Sequence, residues 1–406
     1  MRALYISHNG MLENLGQAQV LPYLRGLARR GVTFDLFSYE LASATDLAIE
    51  ELRGSLDGTG IHWTPLRRAN DHRLQTKLIE SSRGVLKALA TALARRPSVV
   101  HGRSYVPTAI SDLVASLVPG ARLLFDCRGM LGDEYVDAGY WTEERLEYRL
   151  LKRYERRAFR RADGIVFLTD RLRRLAHERG WTPAGANVEA IPCCVDLERF
   201  RFDEAARTEV RRELGLEDRL VVVYSGSLGG WYQEDEMARF VGAWRRAAGK
   251  PIAMLVLTHQ DTTHFASCLT RAGIAADEIV FRKVRPVEMS RFLSAGDVAL
   301  SFIKSCFSKL GSSPTKVAEY LACGLPVVLN GDIGDQQDLA EETDACVVLD
   351  TLGEREIAAA AARALPLATA PLGLRVGRCR AVAERRFDLE SVGVARYERL
   401  YRRITT

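Results

Sequence analysis

Residues 312–330 read SSPTKVAEYLACGLPVVLN. The stretch has the marks of a helix with sharp ends that feeds a buried strand. Ser313 is a favourable N-cap, because its hydroxyl accepts an orphan backbone N–H. Pro314 then falls at the first helical position, where a missing N–H costs nothing and the fixed φ suits the turn. Gly324 is placed just past the helix end, and Pro326 forbids continuation. Val327, Val328 and Leu329 form a short apolar run of the kind buried inside a parallel sheet.

The start of such a helix offers unpaired N–H groups and a partial positive charge to an anion. Thr315 adds a hydroxyl and Lys316 an ammonium in the same turn. Glu319 lies three residues after Lys316 and four after Thr315, so it shares their face. One face therefore carries phosphate donors and, a turn later, a carboxylate acceptor. A nucleoside diphosphate needs both, for its pyrophosphate and for its ribose hydroxyls. The same spacing also suits a capped surface helix with an ion pair, and spacing alone leaves both readings open.

Ser313 to Val327 resembles the donor-binding motif of the retaining GT4 glycosyltransferases, in the variant S-P-T-K-x-x-E-Y-L-A-x-G-x-P-V of bacterial polysaccharide enzymes. The resemblance implies an α/β protein of the GT-B class, with two Rossmann-like domains facing an interdomain cleft. Residues 1–200 would form the acceptor side and 201–387 the nucleotide-sugar side, with a terminal helix at 388–406 crossing back onto the first domain. It implies retaining transfer of a sugar from a nucleoside-diphosphate sugar to a small-molecule or lipid-linked acceptor, by front-face substitution and with no bound metal or cofactor. The family's Glu-x7-Glu pair is half present: Glu319 matches the second acid, and Gly311 stands where the first would be.

The N-terminal stretch supports the first of these domains. Ala3 to Ser7 reads as a strand, residues 8–31 as a loop and amphipathic helix, and Val32 to Ser38 as a second strand. Such a βαβ unit implies parallel strands. The loop holds Asn9, Gly10, Gly16 and Gln17 but no GxGxxG. Leu15 to Val20 resembles the family's L-G-Q-x-Q-V, which implies that Asn9, Gly16 and Gln17 face the cleft; a plain strand–helix turn is the other reading. Strands at Ser98 to His101 and Arg122 to Asp126 end where open α/β sheets meet their ligands. His101, Asp126, Arg128 and Glu134 are thus cleft candidates. The family variant carries a similar D-x-R-G, so Asp126 and Arg128, with Lys316, are candidates for catalysis; a structural Asp–Arg pair is the alternative.

In the second half, Asn187 to Phe200 resembles the segment that closes the first domain in the family, with Cys194 in place of a glycine. Leu220 to Tyr224 opens a second sheet and ends in SGSLGGWYQEDE. Where GT4 enzymes place an Arg and a Lys for the pyrophosphate, this chain has Ser227 among Gly226, Gly229 and Gly230. Small residues let backbone N–H groups approach a phosphate closely, and Lys309 and Lys316 would supply the charge. Ser312, Ser313 and Thr315 complete the phosphate set. Arg282 and Lys283 fall where the family meets the nucleobase. Further strands are expected at Pro251 to Thr258, Glu278 to Lys283, Asp297 to Ile303 and Ala345 to Leu349. Helices are expected at Ile357 to Ala370 and Leu389 to Ile404.

The chain has 406 residues, 47% apolar and 27% charged, with a formal net charge of +5. Two domains fit that length better than one core. The charge is too mild to indicate nucleic acid. No run of 18 apolar residues and no signal-peptide core is present, so a cytoplasmic protein is expected. The eight cysteines lack C-x-x-C pairs or zinc spacing with His, so free thiols are expected and metal ligation is not. Charge is unevenly spread: Arg145 to Arg174 carries eleven Arg and Lys against four Asp and Glu. That face suits peripheral contact with an anionic inner membrane surface, an acidic acceptor, or simple solvation. Two other functions remain open at this level. One is a GT-B-like nucleotide-sugar epimerase or hydrolase. The other is a non-catalytic nucleotide-sugar-binding protein, which the absent first acid would suit.

Overall fold

Among the described residues, thirteen short, mostly apolar runs become strands, and they fall into two all-parallel sheets. The computed structural model describes residues 1–68 and 74–406, the side chains of 74–83 excepted. The first sheet has seven strands: β1 Arg2–Ser7, β2 Thr33–Glu40, β3 Ile61–Arg67, β4 Val99–Arg103, β5 Arg122–Asp126, β6 Gly164–Phe167 and β7 Asn187–Ala190, in the order β3-β2-β1-β4-β5-β6-β7. The second has six: β8 Leu220–Ser225, β9 Ile252–Leu257, β10 Ile279–Arg282, β11 Val298–Ser301, β12 Val327–Asn330 and β13 Cys346–Leu349, in the order β10-β9-β8-β11-β12-β13. In each sheet the strand order reverses once, between β1 and β4 and between β8 and β11. Ligands in doubly wound sheets bind outside the carboxyl ends of the strands at such a point.

Parallel strands covered on both faces read as continuous apolar runs, and β8 shows why. Along LVVVYS every residue is buried. Val221 and Val223 pack with Leu255, Ala299, Val317 and Leu321 on one face. Val222 and Tyr224 pack with Phe240, Trp244, Met254 and Leu300 on the other. Strands β3 and β7 escape the sequence reading because they lack this signature. Strand β3 contains Pro65, which is tolerated because the strand pairs on one side only.

The chain divides into two compact units, Met1–Pro192 with Leu389–Thr406, and Cys193–Asp388. The division precedes residue 200 because Val195, Leu197 and Phe200 join the second core, where Val195 also bridges to Asp388. A buried carboxylate braces this unit: Asp297 pairs with Arg207 at 2.6 Å, Arg211 at 3.2 Å and Arg375 at 3.0 Å, and accepts the Val221 N–H at 2.8 Å. In the first unit the terminal segment forms a π-helical turn at Leu389–Val394 and then the helix Ala395–Thr405, whose Tyr397, Leu400, Tyr401 and Ile404 are buried. No single described helix is long and apolar enough to cross a membrane.

Candidate active site

In the second unit, the turn after β8 and the helix Thr315–Ala322 lie at the reversal between β8 and β11. The helix begins at Thr315, with Pro314 in the cap position at φ −68° and ψ 116°. Ser313 does not cap it: its Oγ accepts the Cys193 N–H at 3.0 Å, which ties the helix start to the segment entering the unit. Lys316 and Tyr320, four residues apart, share one face and grip consecutive residues at the end of β8. Lys316 Nζ donates to Tyr224 Oη at 3.0 Å, and Tyr320 Oη accepts the Ser225 N–H at 2.7 Å.

Lys316 is only 8% exposed. Its Nζ lies 4.1 Å from the ring centroids of both Tyr224 and Tyr232, within cation–π range. Gly226 makes room for it. That residue has φ +116°, and a Cβ there would sit 3.1 Å from the ammonium. Burial pushes the Lys316 amine down to about 7 against the pull of Glu319. Burial pushes the half-buried Glu319 carboxyl up to about 7, against the charges of Arg199 and Lys316. A cation and an acid are thus held where neither is well solvated, an arrangement that recurs at binding and catalytic sites.

The glycine turn differs from the sequence expectation. Gly226 N–H donates to Leu257 O at 2.9 Å, Leu228 N–H to Gln260 Oε1 and Gly229 N–H to Glu234 Oε1. Ser227 contributes its carbonyl to Tyr224 Oη. These amides are spent on the protein itself rather than displayed to an anion. The glycines serve conformation: Gly229 and Gly230 have φ +71° and +59°, values costly for any residue with a Cβ. Lys309 is likewise engaged within the protein. It sits in the 3-10 turn Phe307–Gly311, is buried, and its Nζ lies 3.8 Å from the Trp231 ring centroid. Adjacent aromatics, Trp231 and Tyr232, therefore each hold one lysine. The sequence reading missed Tyr224, Trp231 and Tyr232, although a WY pair following glycines is a visible signal. Ser312 and Thr315 are half-buried beside this cage. Arg282 and Lys283 are exposed at the end of β10, the edge strand; Arg282 Nη1 turns back to Phe281 O at 3.0 Å.

In the first unit, the ends of β1, β4 and β5 converge on buried charge. Asp126 and His101 are each 1% exposed, so they lie inside the unit instead of lining a solvent surface. His101 Nε2 is 3.6 Å and Arg128 Nη1 3.5 Å from the Asp126 carboxylate. Tyr397 Oη donates to Asp126 Oδ2 at 3.1 Å, and Tyr401 Oη meets His101 Nδ1 at 2.8 Å. Burial works to raise the Asp126 pKa, but Arg128, His101 and Arg103 outweigh it and hold the carboxyl well below the usual range. Burial lowers the His101 pKa despite Asp126. Arg103 Nη1 donates to Asn9 Oδ1 at 3.3 Å, joining β4 to the loop after β1. Gly16 is there for packing: a Cβ would lie 2.2 Å from Gly10 O. Gln17 Nε2 pins the loop through Met11 O at 2.7 Å. Glu40, unmarked in the sequence reading, is fully buried and accepts the Met11 and Leu12 N–H groups at 2.7 and 3.2 Å. Glu134 is half-buried in the helix Leu131–Asp137.

These two sheets, each with a reversal point, have close counterparts. Residues 16–194 match the model of the family described as "Glycosyl transferase 4-like domain". A sucrose-phosphate synthase from Thermosynechococcus elongatus superposes with a TM-score of 0.73 at 15% identity, covering 99% of this chain and 98% of that one. The HepE protein of Anabaena, solved with UDP-glucose, superposes at 0.70 with 14% identity, covering 98% and 99%. WaaG, a glycosyltransferase involved in lipopolysaccharide biosynthesis, superposes at 0.67 with 15% identity, covering 98% of each chain. The fold is GT-B. No curated relative matches the chain in sequence.

In GT-B terms the basic segment lies on the first unit, mainly on the helix Leu146–Arg161. Many of its cations pair with carboxylates, among them Arg145 with Glu147, Lys152 with Asp133 and Glu155, Arg157 and Arg161 with Asp112, and Arg173 and Arg174 with Asp170. The outer face keeps Arg149, Arg153, Arg156 and Arg160 exposed. Beside them Tyr140, Leu146 and Leu150 are 72%, 64% and 56% exposed.

Proposed function

We propose that the chain is a retaining glycosyltransferase that moves a sugar from a nucleoside-diphosphate sugar to an acceptor. The observation that carries this reading is Lys316, a buried ammonium caged by Tyr224 and Tyr232 at the reversal point, with Glu319 one turn on. A pyrophosphate gives such an ammonium the counter-charge that two phenol rings do not. The leaving diphosphate gains charge toward the transition state, and a preformed cation there accelerates departure without reorganisation. Glu319 would accept the ribose hydroxyls. Retention would follow from front-face attack, with the donor phosphate taking the acceptor proton, and no metal takes part in the step. The N-terminal unit would receive the acceptor.

A panel of nucleoside diphosphates and their sugars tests the donor site by thermal shift. A ligand at a hundred times its Kd adds about 2.7 kcal/mol. No shift with any member of the panel would overturn the reading. The product's anomeric configuration, read by proton NMR, tests retention, and turnover in EDTA tests metal independence.

A second reading concerns the acceptor. Exposed Tyr140, Leu146 and Leu150 amid arginines favour a lipid-linked acceptor taken from an anionic membrane surface, where each basic residue gains about 1 kcal/mol. Binding to anionic liposomes that falls with salt is expected. Equal binding to neutral and anionic liposomes, or none to either, points to a water-soluble acceptor.

A further inference from the structure

Away from the lysine cage, three side chains from two helices of the second unit converge on its surface. Asp235 lies in the first turn of Glu234–Ala248. His264 and Cys268 stand one turn apart on Thr263–Arg271. One ligand atom from each falls within 4.8 Å of the others. His264 Nε2 is 3.8 Å from Asp235 Oδ2 and 3.5 Å from Cys268 Sγ. Donors about 2.0–2.3 Å from a tetrahedral zinc ion are separated by about 3.3–3.7 Å, so two of these contacts already approach that spacing. One thiol, one imidazole and one carboxylate suit zinc or cobalt(II) rather than magnesium or calcium.

We propose that Asp235, His264 and Cys268 form a binding site for a zinc-class divalent cation, with a fourth position open to water. The sequence hides it: His264 and Cys268 are four residues apart, and the third ligand comes from a different helix. Arg271 reaches two of the three donors. Its Nη2 lies 2.7 Å from Asp235 Oδ1 and 3.2 Å from Cys268 Sγ. The guanidinium supplies the positive charge that the carboxylate and the sulfur attract. Arg271 is more than half exposed, so it can swing into solvent when an ion arrives. Binding releases the Cys268 thiol proton to water, because the thiolate is the ligand. Affinity therefore rises with pH. The site does not depend on the donor reading. Its ion would join the helix that begins at Glu234 to the one that follows Gln260, and these two residues hold the amides of Gly229 and Leu228.

Cobalt(II) titration of the full chain tests this, because a Co(II)–thiolate bond gives a charge-transfer band. One equivalent binding with such a band is expected. Cys268→Ser should abolish the band. His264→Ala, a change at a well exposed side chain, should weaken binding by at least about tenfold through loss of one of three ligands. Arg271→Ala should tighten it, by up to about fivefold, since the exposed ion pair it removes is weak. Zinc should displace cobalt and bleach the band. Absence of a thiolate band in the wild-type chain at millimolar cobalt overturns the proposal. So does a band that survives Cys268→Ser, or an affinity unmoved by His264→Ala.

Discussion

At the end of β8 a single ammonium, that of Lys316, lies against two tyrosine rings and forms no ion pair among the described residues. At the ends of β4 and β5, one carboxylate lies among Arg128, His101 and Arg103; from the terminal helix Tyr397 donates to it and Tyr401 bonds His101. The two reversal points hold similar chemical groups, but their electrostatics are opposite. In the first unit the buried charges compensate one another, so Asp126 is a brace that fixes the helix Ala395–Thr405 to the sheet. In the second unit Lys316 has no carboxylate at ion-pair distance among the described residues, and the pull of Glu319 one turn on does not outweigh burial, which costs stability unless an anion arrives. A buried charge that the protein neutralises is structural; one that it leaves unneutralised is poised for a ligand.

The largest effect expected from this contrast is on stability in the first unit. Asp126→Ala removes the buried carboxylate that faces Arg128, Arg103 and His101 and should cost about 3–5 kcal/mol, as breaking a buried pair does. Chemical denaturation measures it. A loss below about 1 kcal/mol, within the range of an exposed pair, would show that Asp126 is no brace and return it to the catalytic candidates.

Lys316→Met should show the reverse pattern. Turnover falls by about 10²–10³, the scale of losing one preorganised electrostatic contact, while the fold is kept. Because the folded-state pKa of Lys316 lies below its ordinary value, the penalty of burying it is fully present below about pH 7. It disappears as pH rises toward about 10.4, where the unfolded chain also loses the proton. Lys316→Met should therefore raise Tm most on the acid side of neutrality. Lys309→Met should reduce turnover less, since Lys309 stacks on Trp231 and lies outside the helix start. Near-normal kcat in Lys316→Met with loss in Lys309→Met would move the phosphate site away from this helix.

Glu319→Ala should weaken nucleoside-diphosphate binding by about 1.5–3 kcal/mol, as expected for hydrogen bonds to a charged group. Unchanged affinity in calorimetry would remove Glu319 from the ribose site. The smallest effect is in pH dependence. The affinity advantage of wild type over Lys316→Met should be full below about pH 7 and fade above it, because the amine loses its proton there. Comparing the two proteins cancels the titration of the ligand. An advantage that stays constant across neutrality would mean that Lys316 remains charged without ligand.

Much of the architecture is written locally. Runs such as LVVVYS and PVVLN announce buried parallel strands because both their faces must be apolar, and their alternation with helical segments announces doubly wound sheets. The resemblance of Ser313 to Val327 pointed to GT-B before any strand was paired. What local pattern does not reach is the partner of a polar group. Ser313 reads as a cap, yet its hydroxyl serves Cys193, 120 residues away. Gly226, Gly229 and Gly230 read as a phosphate cradle, yet their turn is closed by Gln260, Glu234 and Leu257.

By itself, then, the sequence determined which segments are buried, how they alternate, and that Lys316 and Glu319 share a helix face, because periodicity and helix geometry act within a few residues. Tertiary structure alone decided the charge state those residues live in. Whether a lysine meets a carboxylate or two tyrosine rings depends on which strand end the fold brings to it. So does the meeting of Asp235 with His264 and Cys268. Desolvation and Coulomb energy depend on distances in space, and separation along the chain does not specify them.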